Sequence, residues 1–341
     1  MFDTNLLHQE VLTKAIQEFK DPNLTVKESG TFPEVGEQGQ ERTWDILKAN
    51  RTLADVVGKH SPSVSQKLEV IGQGNARLAR SYENQPVPGS VLIQLRNPGS
   101  TSLAKGAAQV IARELKKLND RIERRDEQML CGALQGSFDI TIHGVTVTVD
   151  YKFSASHKCT IGGAQIDAQT FAIAWSDPGA DIKFDVMKVQ QKVMDDSGQM
   201  IRTAIISPEI KLDLMNNVDA RDFLKQTAQG EKFVQTGEID QMWGLNWRTV
   251  RHSFKPEGGS VTRFWPSDTV SFLPEPSTDV AYMSVGSDYI PTEDRKNMQE
   301  VIGKYAYAAI KDDPVAVLLY AGKVRIPIIA IPDAFLKAVV R

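Results

Sequence analysis

The longest patterned stretch of the chain runs from Ser102 to Gly136. Apolar residues recur at Ile111, Leu115, Leu118 and Ile122, then at Met129, Leu130, Ala133 and Leu134. This spacing predicts one amphipathic helix over 102–136, with Ile111, Leu115, Leu118, Ile122 and Met129 on its core face. The remaining positions are dense in charge. Asp120–Arg124 at i,i+4, and Glu114–Lys117 and Arg124–Glu127 at i,i+3, are spaced to pair along an exposed helix surface. The loop from Asn97 to Ser102 ends in good N-cap residues, and Gly136 suits the far end. At about 1.5 Å per residue the rod would be on the order of 45–50 Å long.

The pattern elsewhere is shorter. Leu6, Leu7, Val11, Leu12, Ala15, Ile16 and Phe19 predict an amphipathic helix within residues 1–20, either packed on its own subunit or docked on a neighbour. Pro22, Gly30, Pro33, Gly36 and Gly39 then break the period, so residues 21–42 read as irregular. Residues 64–71 alternate, Gly72-Gln73-Gly74-Asn75 reads as a turn, and Arg77–Tyr82 as a return run. Together they predict a long two-stranded arm. Its polar faces cannot support it in water without a surface to lie on.

After the long helix, Phe138, Ile140 and Ile142 alternate, His143-Gly144 turns, and Val145, Val147 and Val149 alternate back. This is a hairpin over 138–153. Ser176-Asp177-Pro178 precedes a helix over about Ala180–Met194, with Ile182, Val186, Val189 and Val193 on one face. A short buried strand at 203–206, a helix behind Ser207-Pro208-Glu209 and a further helical piece from Val218 follow. Strand runs come next, in NWRTVRHSF, SVTRFW and TVSFLP. The tail carries strand runs at 315–320 and 324–331, with Asp313-Pro314, Pro327 and Pro332 at turns or edges. The natural partner for these tail strands is the 138–153 hairpin, which would leave residues 180–290 as an inserted α/β unit of ordinary domain size.

Composition narrows the class. The chain has 341 residues, 24% of them charged and 41% hydrophobic, with a formal net charge of −3. No run approaches the roughly 18 apolar residues of a membrane span. The first residues, MFDTNLLHQEV, carry no basic segment followed by an apolar core, so no secretory leader is expected. Two cysteines, Cys131 and Cys159, are too few for a cysteine zinc site and suggest a reducing compartment, with Cys131 a core thiol. The net charge by itself gives no indication of a strongly basic nucleic-acid surface.

Candidate chemistry is sparse, and no catalytic, cofactor-binding or metal-binding residue is assigned. Walker, His-Glu-x-x-His, Gly-x-Ser-x-Gly and Cys-x-x-Cys patterns are absent from the sequence. Gly72-x-Gly74 lacks the third glycine and the following helix of a nucleotide loop, because Arg77 stands in its place. His157 beside Cys159 supplies only two ligand types, and His143 reads as a turn residue. Asp195-Asp196 and Asp312-Asp313 fall at element ends, where solvated aspartates are usual. Trp243, Trp247, Phe254, Phe264 and Trp265 alternate with Arg248, Arg251 and Arg263. Single-strand binding is one reading of that alternation, and core packing of strand aromatics is the plainer one.

The order of several segments resembles the major capsid proteins of tailed phages, in the lambda-like branch of the Hong Kong 97 fold. The segments are RTWDILKANRTLADVVGKHSPS, the helix ending RRDEQMLCGALQG with its hairpin, WSDPGADI, IISPEIKLDLMNN, FLPEPSTDVAYMSVGS and DDPVAVLLYAGKVRIPIIAIPD. The resemblance covers most of the chain. It implies an α+β capsid fold in five parts: an N-terminal arm (1–50), an extended two-stranded loop and its base (51–96), a peripheral domain with the spine helix and hairpin (97–179), an inserted axial domain (180–290) and a return to the peripheral domain (291–341). The loop itself would span roughly Val57–Val87, with Val57, Lys59, Pro62, Lys67, Gly72, Arg77, Arg80 and Tyr82 touching a neighbouring subunit.

The implied role is structural, without enzymatic activity or cofactor. Hexamers and pentamers would build an icosahedral procapsid in the host cytoplasm that matures into a virion shell around double-stranded DNA. The mild acidity suits a shell that encloses DNA without gripping it. Only about 50 residues precede the loop, which implies a separate scaffolding protein. A portal protein and a small decoration protein at three-fold positions are further implied partners. Lys59 and Lys67 lie where some relatives crosslink, but no motif selects a lysine or its asparagine partner. Two alternatives remain: an encapsulin-like cellular compartment of the same fold, and a soluble α/β enzyme using Asp and His residues of the 180–290 unit.

Overall fold

The computed structural model describes residues 7–20, 22, 24–48, 70–88, 103–142, 145–161, 163, 166–167, 169–227, 230, 237–255, 259–292, 297–311 and 316–341. Helix α1 spans Gln9–Glu18 and α2 spans Leu103–Leu134. Ile111, Leu115, Leu118, Ile122 and Met129 are all buried on α2. Gly136 follows in the left-handed region, with its amide bonded to the Ala133 carbonyl at 3.0 Å. Glycine reaches that conformation without a Cβ penalty, which is why the helix stops there.

Three shorter helices follow, each stopped and started by its own cap. In α3 (Ile182–Ser197) the Asp181 carboxylate accepts from the Phe184 amide, and Gly198 closes the far end at a φ of 71°. In α4 (Pro208–Asn216) the Ser207 hydroxyl accepts from Ile210 and proline occupies the first turn. In α5 (Val218–Gln226) Asn217 accepts from Ala220. Each cap satisfies an amide that the helix itself leaves unpaired.

Two main sheets stand on this frame. The first holds β1 (Glu34–Gly36), β14 (Ala281–Val285), β18 (Ala316–Ile329) and β17 (Tyr305–Lys311) in that order, with β4 (Ala79–Pro88) also paired to β18. The second runs β7 (Lys158–Thr160), β19 (Leu336–Val339), β13 (Thr269–Pro274), β8 (Ile201–Ile206), β10 (Leu245–Thr249), β9 (Gln241–Met242). Among the described residues, four two-stranded pairs stand beside these sheets. They are β2 (Glu41–Leu47) with β3 (Val70–Arg77), β5 (Ser137–Ile142) with β6 (Val145–Asp150), β11 (Ser253–Phe254) with β12 (Thr262–Arg263), and β15 (Ser287–Pro291) with β16 (Met298–Ile302).

The tail departs from its expected pairing. β18 is one continuous strand through Pro327, and it pairs with β17, β14 and β4, not with the 138–153 hairpin. Pro327 is tolerated because it lies beyond the β4 ladder, which ends at Arg325, and faces only Met283 of β14. β5–β6 instead forms its own pair, pinned by the Tyr151 hydroxyl donating to the Pro327 carbonyl at 2.5 Å. The halves also interleave more than the boundaries at 180 and 290 suggest. β7 and β19 belong to the second sheet, while β14 belongs to the first. α1 lies on its own subunit: Leu12 and Ile16 are buried against α2, and the Thr13 hydroxyl donates to the Ala306 carbonyl at 2.9 Å.

The charged face of α2 is exposed in its first part, where Lys117 pairs with Glu114 at 2.6 Å as its spacing suggested, but part of its second half is buried. Glu123, Asp126 and Glu127 are fully buried. Asp126 binds Lys323 at 2.9 Å and also the Arg325 guanidinium, both from the middle of β18 and both fully buried. Lys323 reaches Glu34 at 2.7 Å, and Lys304 reaches Glu123 at 2.6 Å, with Lys27 paired to Glu123 as well. Glu127 accepts the amides of Val26 and Lys27 at 2.8 and 3.0 Å, so it pins the 24–30 segment and makes no pair with Arg124. Lys27, Lys304, Lys323 and Arg325 therefore face Glu34, Glu123, Asp126 and Glu127, four charges of each sign.

Burial acts to raise the Asp126 carboxyl, but Arg325 and then Lys323 outweigh it and hold it below its ordinary value. Removing one partner of a buried pair strands the other in low dielectric, typically at about 3–5 kcal/mol. Asp126→Ala is therefore expected to destabilise the subunit by about that much in urea unfolding, and the triple change Asp126→Leu, Lys323→Met, Arg325→Met by much less. Because the folded-state value is lowered, the contribution of Asp126 is present above the ordinary carboxylate range. It fades as pH falls through the folded value, a loss that urea unfolding of wild type and Asp126→Asn along an acid series measures.

Candidate intersubunit interface

The β2–β3 ribbon is the arm-like element of the described chain. Its register runs from Glu41↔Arg77 to Leu47↔Val70, so both strands lead at one end into residues 48–69. Alternation gives it two unlike faces. Trp44, Ile46 and Ala76 are buried in the core beneath, while Glu41, Thr43, Asp45, Gln73, Asn75 and Arg77 are exposed. The Leu47 amide donates to Ala330 at 2.8 Å and fastens the ribbon to the end of β18.

Gly72-Gln73-Gly74-Asn75 is not a turn. It lies inside β3, opposite Trp44–Ile46. Gly74 is directly opposite Trp44, and a Cβ there would run into the indole ring. The glycine marks the close approach of an aromatic ring across the ladder, not a reversal of the chain. The described ribbon comprises β2 and β3; of the expected 57–87 span, residues 57–69 lie outside the described residues and Ala79–Val87 belongs to β4, paired with β18. β2 overlaps the 21–42 stretch read as irregular only at Glu41 and Arg42, and it forms because Trp44 and Ile46 bury one face.

The eight predicted contact residues divide three ways. Val57, Lys59, Pro62 and Lys67 lie outside the described residues. Gly72 and Arg77 sit on the ribbon, Arg77 exposed at its base. Arg80 and Tyr82 belong to β4, which is paired along its length with β18 of the same subunit. Arg80 binds Asp288 at 2.6 Å and lies 4.5 Å from the centre of the Tyr82 ring. Tyr82 stacks on Tyr320 at 5.6 Å, and Tyr320 on Tyr307 at 4.8 Å. Burial, and then the Tyr307 hydroxyl, push the Tyr82 phenol upward from its ordinary value. These two residues are held within their own subunit.

Other exposed features escaped the sequence reading. The β15–β16 hairpin carries Tyr289, Met298 and Ile302 at 56%, 77% and 42% exposure. Large apolar side chains this open on one hairpin mark a contact surface. Beside it, an open groove of about 390 Å³ runs between Leu7, Pro291 and the Tyr82–Tyr320–Tyr307 stack. No periodicity announces either feature, since the hairpin reads as an ordinary alternating strand pair.

The groups with catalytic potential serve packing. His157 is fully buried, with Nδ1 2.8 Å from the Phe335 carbonyl and Nε2 2.8 Å from Asp196. Asp196 also binds Lys192 at 2.8 Å, so it is more than a solvated turn residue. Cys131 and Cys159 are free and buried, and burial pushes both thiols up, Cys159 to about 11. That suits inert core thiols. Trp247 and Trp265 are buried, and Arg251 and Arg263 pair with Glu238 and Glu209, which favours the packing account of the aromatic cluster. Among the described residues no group of three His, Cys, Asp or Glu side chains could hold a metal ion, and no helix is long and apolar enough to cross a membrane.

The profile of the phage major capsid protein E family matches residues 8–340. The chain belongs to that family. Its role is therefore structural, in the shell of a virion. No curated protein matches the sequence. Among solved structures, the fold is similar to a putative capsid protein of a prophage of E. coli CFT073. That likeness has a TM-score of 0.64 at 14% identity, covering 96% of this chain and 95% of that one. The capsid of cyanophage P-SCSP1u gives 0.52 at 12% identity, covering 94% and 89%. The SrpI encapsulin of Synechococcus elongatus PCC 7942 gives 0.50 at 7% identity, covering 94% and 90%. The fold is thus common to phage capsids and an encapsulin, and the family match assigns this chain to the phage side.

One titrating group inside this capsid subunit is open to measurement. Asp185 on α3 accepts the Phe171 amide and the Trp175 indole N–H, both at 2.8 Å. Burial pushes its carboxyl up to about 6, against the lowering effect of those two bonds. A folded-state value above the ordinary one means that the folded state takes up a proton first. Through this group stability rises as pH falls from 7 through 6. Urea unfolding of wild type at pH 7 and pH 5 is expected to show that rise, and Asp185→Asn to reduce it.

Proposed function

We propose that this chain forms hexamers and pentamers that close into an icosahedral procapsid and mature into a shell around double-stranded DNA. The half built on α2, with β1, β4, β14, β17 and β18, is the peripheral domain in this reading. The half with α3–α5 and the second sheet is the axial domain. The β2–β3 ribbon is the base of the extended loop, and residues 48–69 are the part that reaches a neighbour, Val57, Lys59, Pro62 and Lys67 among them.

The observation that carries the reading is the ribbon register. A base anchored by Trp44 and Ile46 sends both strands out to the same end at Leu47↔Val70. Such an arm gains little within one subunit. Repeated contacts around a closed shell multiply, so individually weak ones suffice. Maturation in this account tilts rigid halves about their interfaces. A separate scaffolding protein, a portal protein and a decoration protein are the partners it carries, with assembly in the host cytoplasm.

Negative-stain electron microscopy of the expressed chain, with and without a co-expressed scaffold, is expected to show closed shells tens of nanometres across, or sheets of hexamers. Replacing residues 49–68 by Asn-Gly joins β2 to β3 as a short hairpin. This variant should keep the wild-type urea midpoint yet fail to yield stable shells. Normal shells from it would remove the loop from the assembly mechanism.

A further inference from the structure

A second groove, of about 460 Å³, lies between α2 and β4. Four arginines line it: Arg121, Arg124 and Arg125 from successive positions on one side of α2, and Arg80 from β4. Two of them have carboxylate partners, Arg121 with Glu83 at 3.0 Å and Arg80 with Asp288 at 2.6 Å. The other two make no ion pair among the described residues. Arg124 is exposed, in spite of Asp120 one turn before it. Arg125 is partly buried and only donates to the Gln128 side-chain oxygen at 2.7 Å. Burial, and then the nearby Arg325, press against the charge on Arg125. Phe254 and Phe264 add apolar surface to the groove's lining. A cleft that is cationic, partly dry and short of its own anions is built to receive anions from outside.

We propose that this groove binds the phosphate backbone of nucleic acid, with Arg124 and Arg125 taking phosphate oxygens and Arg80 and Arg121 flanking them. Guanidinium forks match phosphate oxygens in pairs, whereas lysines would act as point charges. The competing occupant is an acidic segment of a second copy. The sequence offers no run of more than two consecutive carboxylates, as at Asp195-Asp196, to lie along four arginines. Residues 48–69 contain Lys48, Arg51, Lys59 and Lys67 against Asp55 and Glu69, so that segment is of the wrong sign as well. A nucleic-acid strand supplies regularly spaced anions. The proposal rests on the shell reading for its source of nucleic acid and refines the expectation from net charge. The chain as a whole repels DNA mildly, yet each copy offers one discrete hold.

The test uses the full chain, unassembled and dilute, with a fluorescein-labelled 30-base-pair duplex followed by anisotropy from 50 to 300 mM salt. Arg124→Gln with Arg125→Gln is expected to weaken binding at least tenfold at 100 mM salt. It should also reduce the slope of log K against log salt by about 1.8, the loss of two phosphate contacts. A control, Arg113→Gln with Lys116→Gln, removes the same charge from exposed α2 positions outside the groove and should change the slope far less. Equal losses in both variants, or an unchanged slope in the first, would overturn the groove as the site. So would polyglutamate displacing the duplex at equal charge concentration, which would assign the groove to an acidic protein segment. Electron microscopy of the same preparations separates the two readings. Shells without duplex binding sink this proposal alone, whereas duplex binding without shells sinks the shell reading.

Discussion

The long helix and the long strand are held together by the buried charges of Asp126, Lys323 and Arg325. Asp126 on α2 is bound by Lys323 and Arg325 from β18, and the circuit closes through Glu34, Lys27, Glu123 and Lys304. Apolar packing alone allows a helix to slide or roll on a sheet at modest cost. A buried core of Asp126, Lys323 and Arg325, extended by the partly exposed Lys27 and Glu34, does not, since each displaced core member loses its partner without gaining solvent. The Arg325 guanidinium also donates to the Ile122 carbonyl at 3.1 Å, so side chain and helix backbone are tied together. The register of α2 on the first sheet is set there, and β17, β14 and β4 take their places from β18.

This arrangement explains which parts of the fold were legible in the sequence. Elements whose burial follows local period were readable. The apolar stripe of α2, the inward isoleucine and three valines of α3, the Ser207-Pro208 cap and the fully buried β13 all show in the letters themselves. Glu127 was read as pairing with Arg124 on an exposed face, and Glu123 and Asp126 carried no reading of their own, because carboxylates on a helix are usually solvated. Their partners lie up to about 200 residues away, inside an apolar strand run where Lys323 and Arg325 look like interruptions. No local pattern encodes that match. The Gly72–Asn75 reading failed for a related reason. Glycines signal turns only when nothing across the ladder needs the space, and Trp44 needs it at Gly74.

Of the candidate interface, the stretch carrying Val57, Lys59, Pro62 and Lys67 lies outside the described residues, while the described ribbon is anchored in its own subunit by Trp44, Ile46 and Ala76. Arg80 and Tyr82 looked like arm residues because β4 alternates as an arm would, yet its partner is the distant β18. The apolar hairpin β15–β16 and the arginine groove gave no signal. Each arises where segments far apart in sequence meet, and neither uses a spacing that marks exposure. Family resemblance located the class of protein while residue-level contacts still required the fold.

The placement of β18 and β19 has a consequence for the order of events in synthesis. Every strand that pairs with residues 316–339 precedes them in the chain, including β1 at residues 34–36 through β14. The ribosome therefore releases the centre of the first sheet, and a strand of the second, after all their neighbours. Neither half can close while those residues are still in the exit tunnel, and the buried charges of α2 stay hydrated until Lys323 and Arg325 emerge. Both sheets are thus completed by strands that follow all of their partners in the chain, so these non-local pairings are late steps in folding.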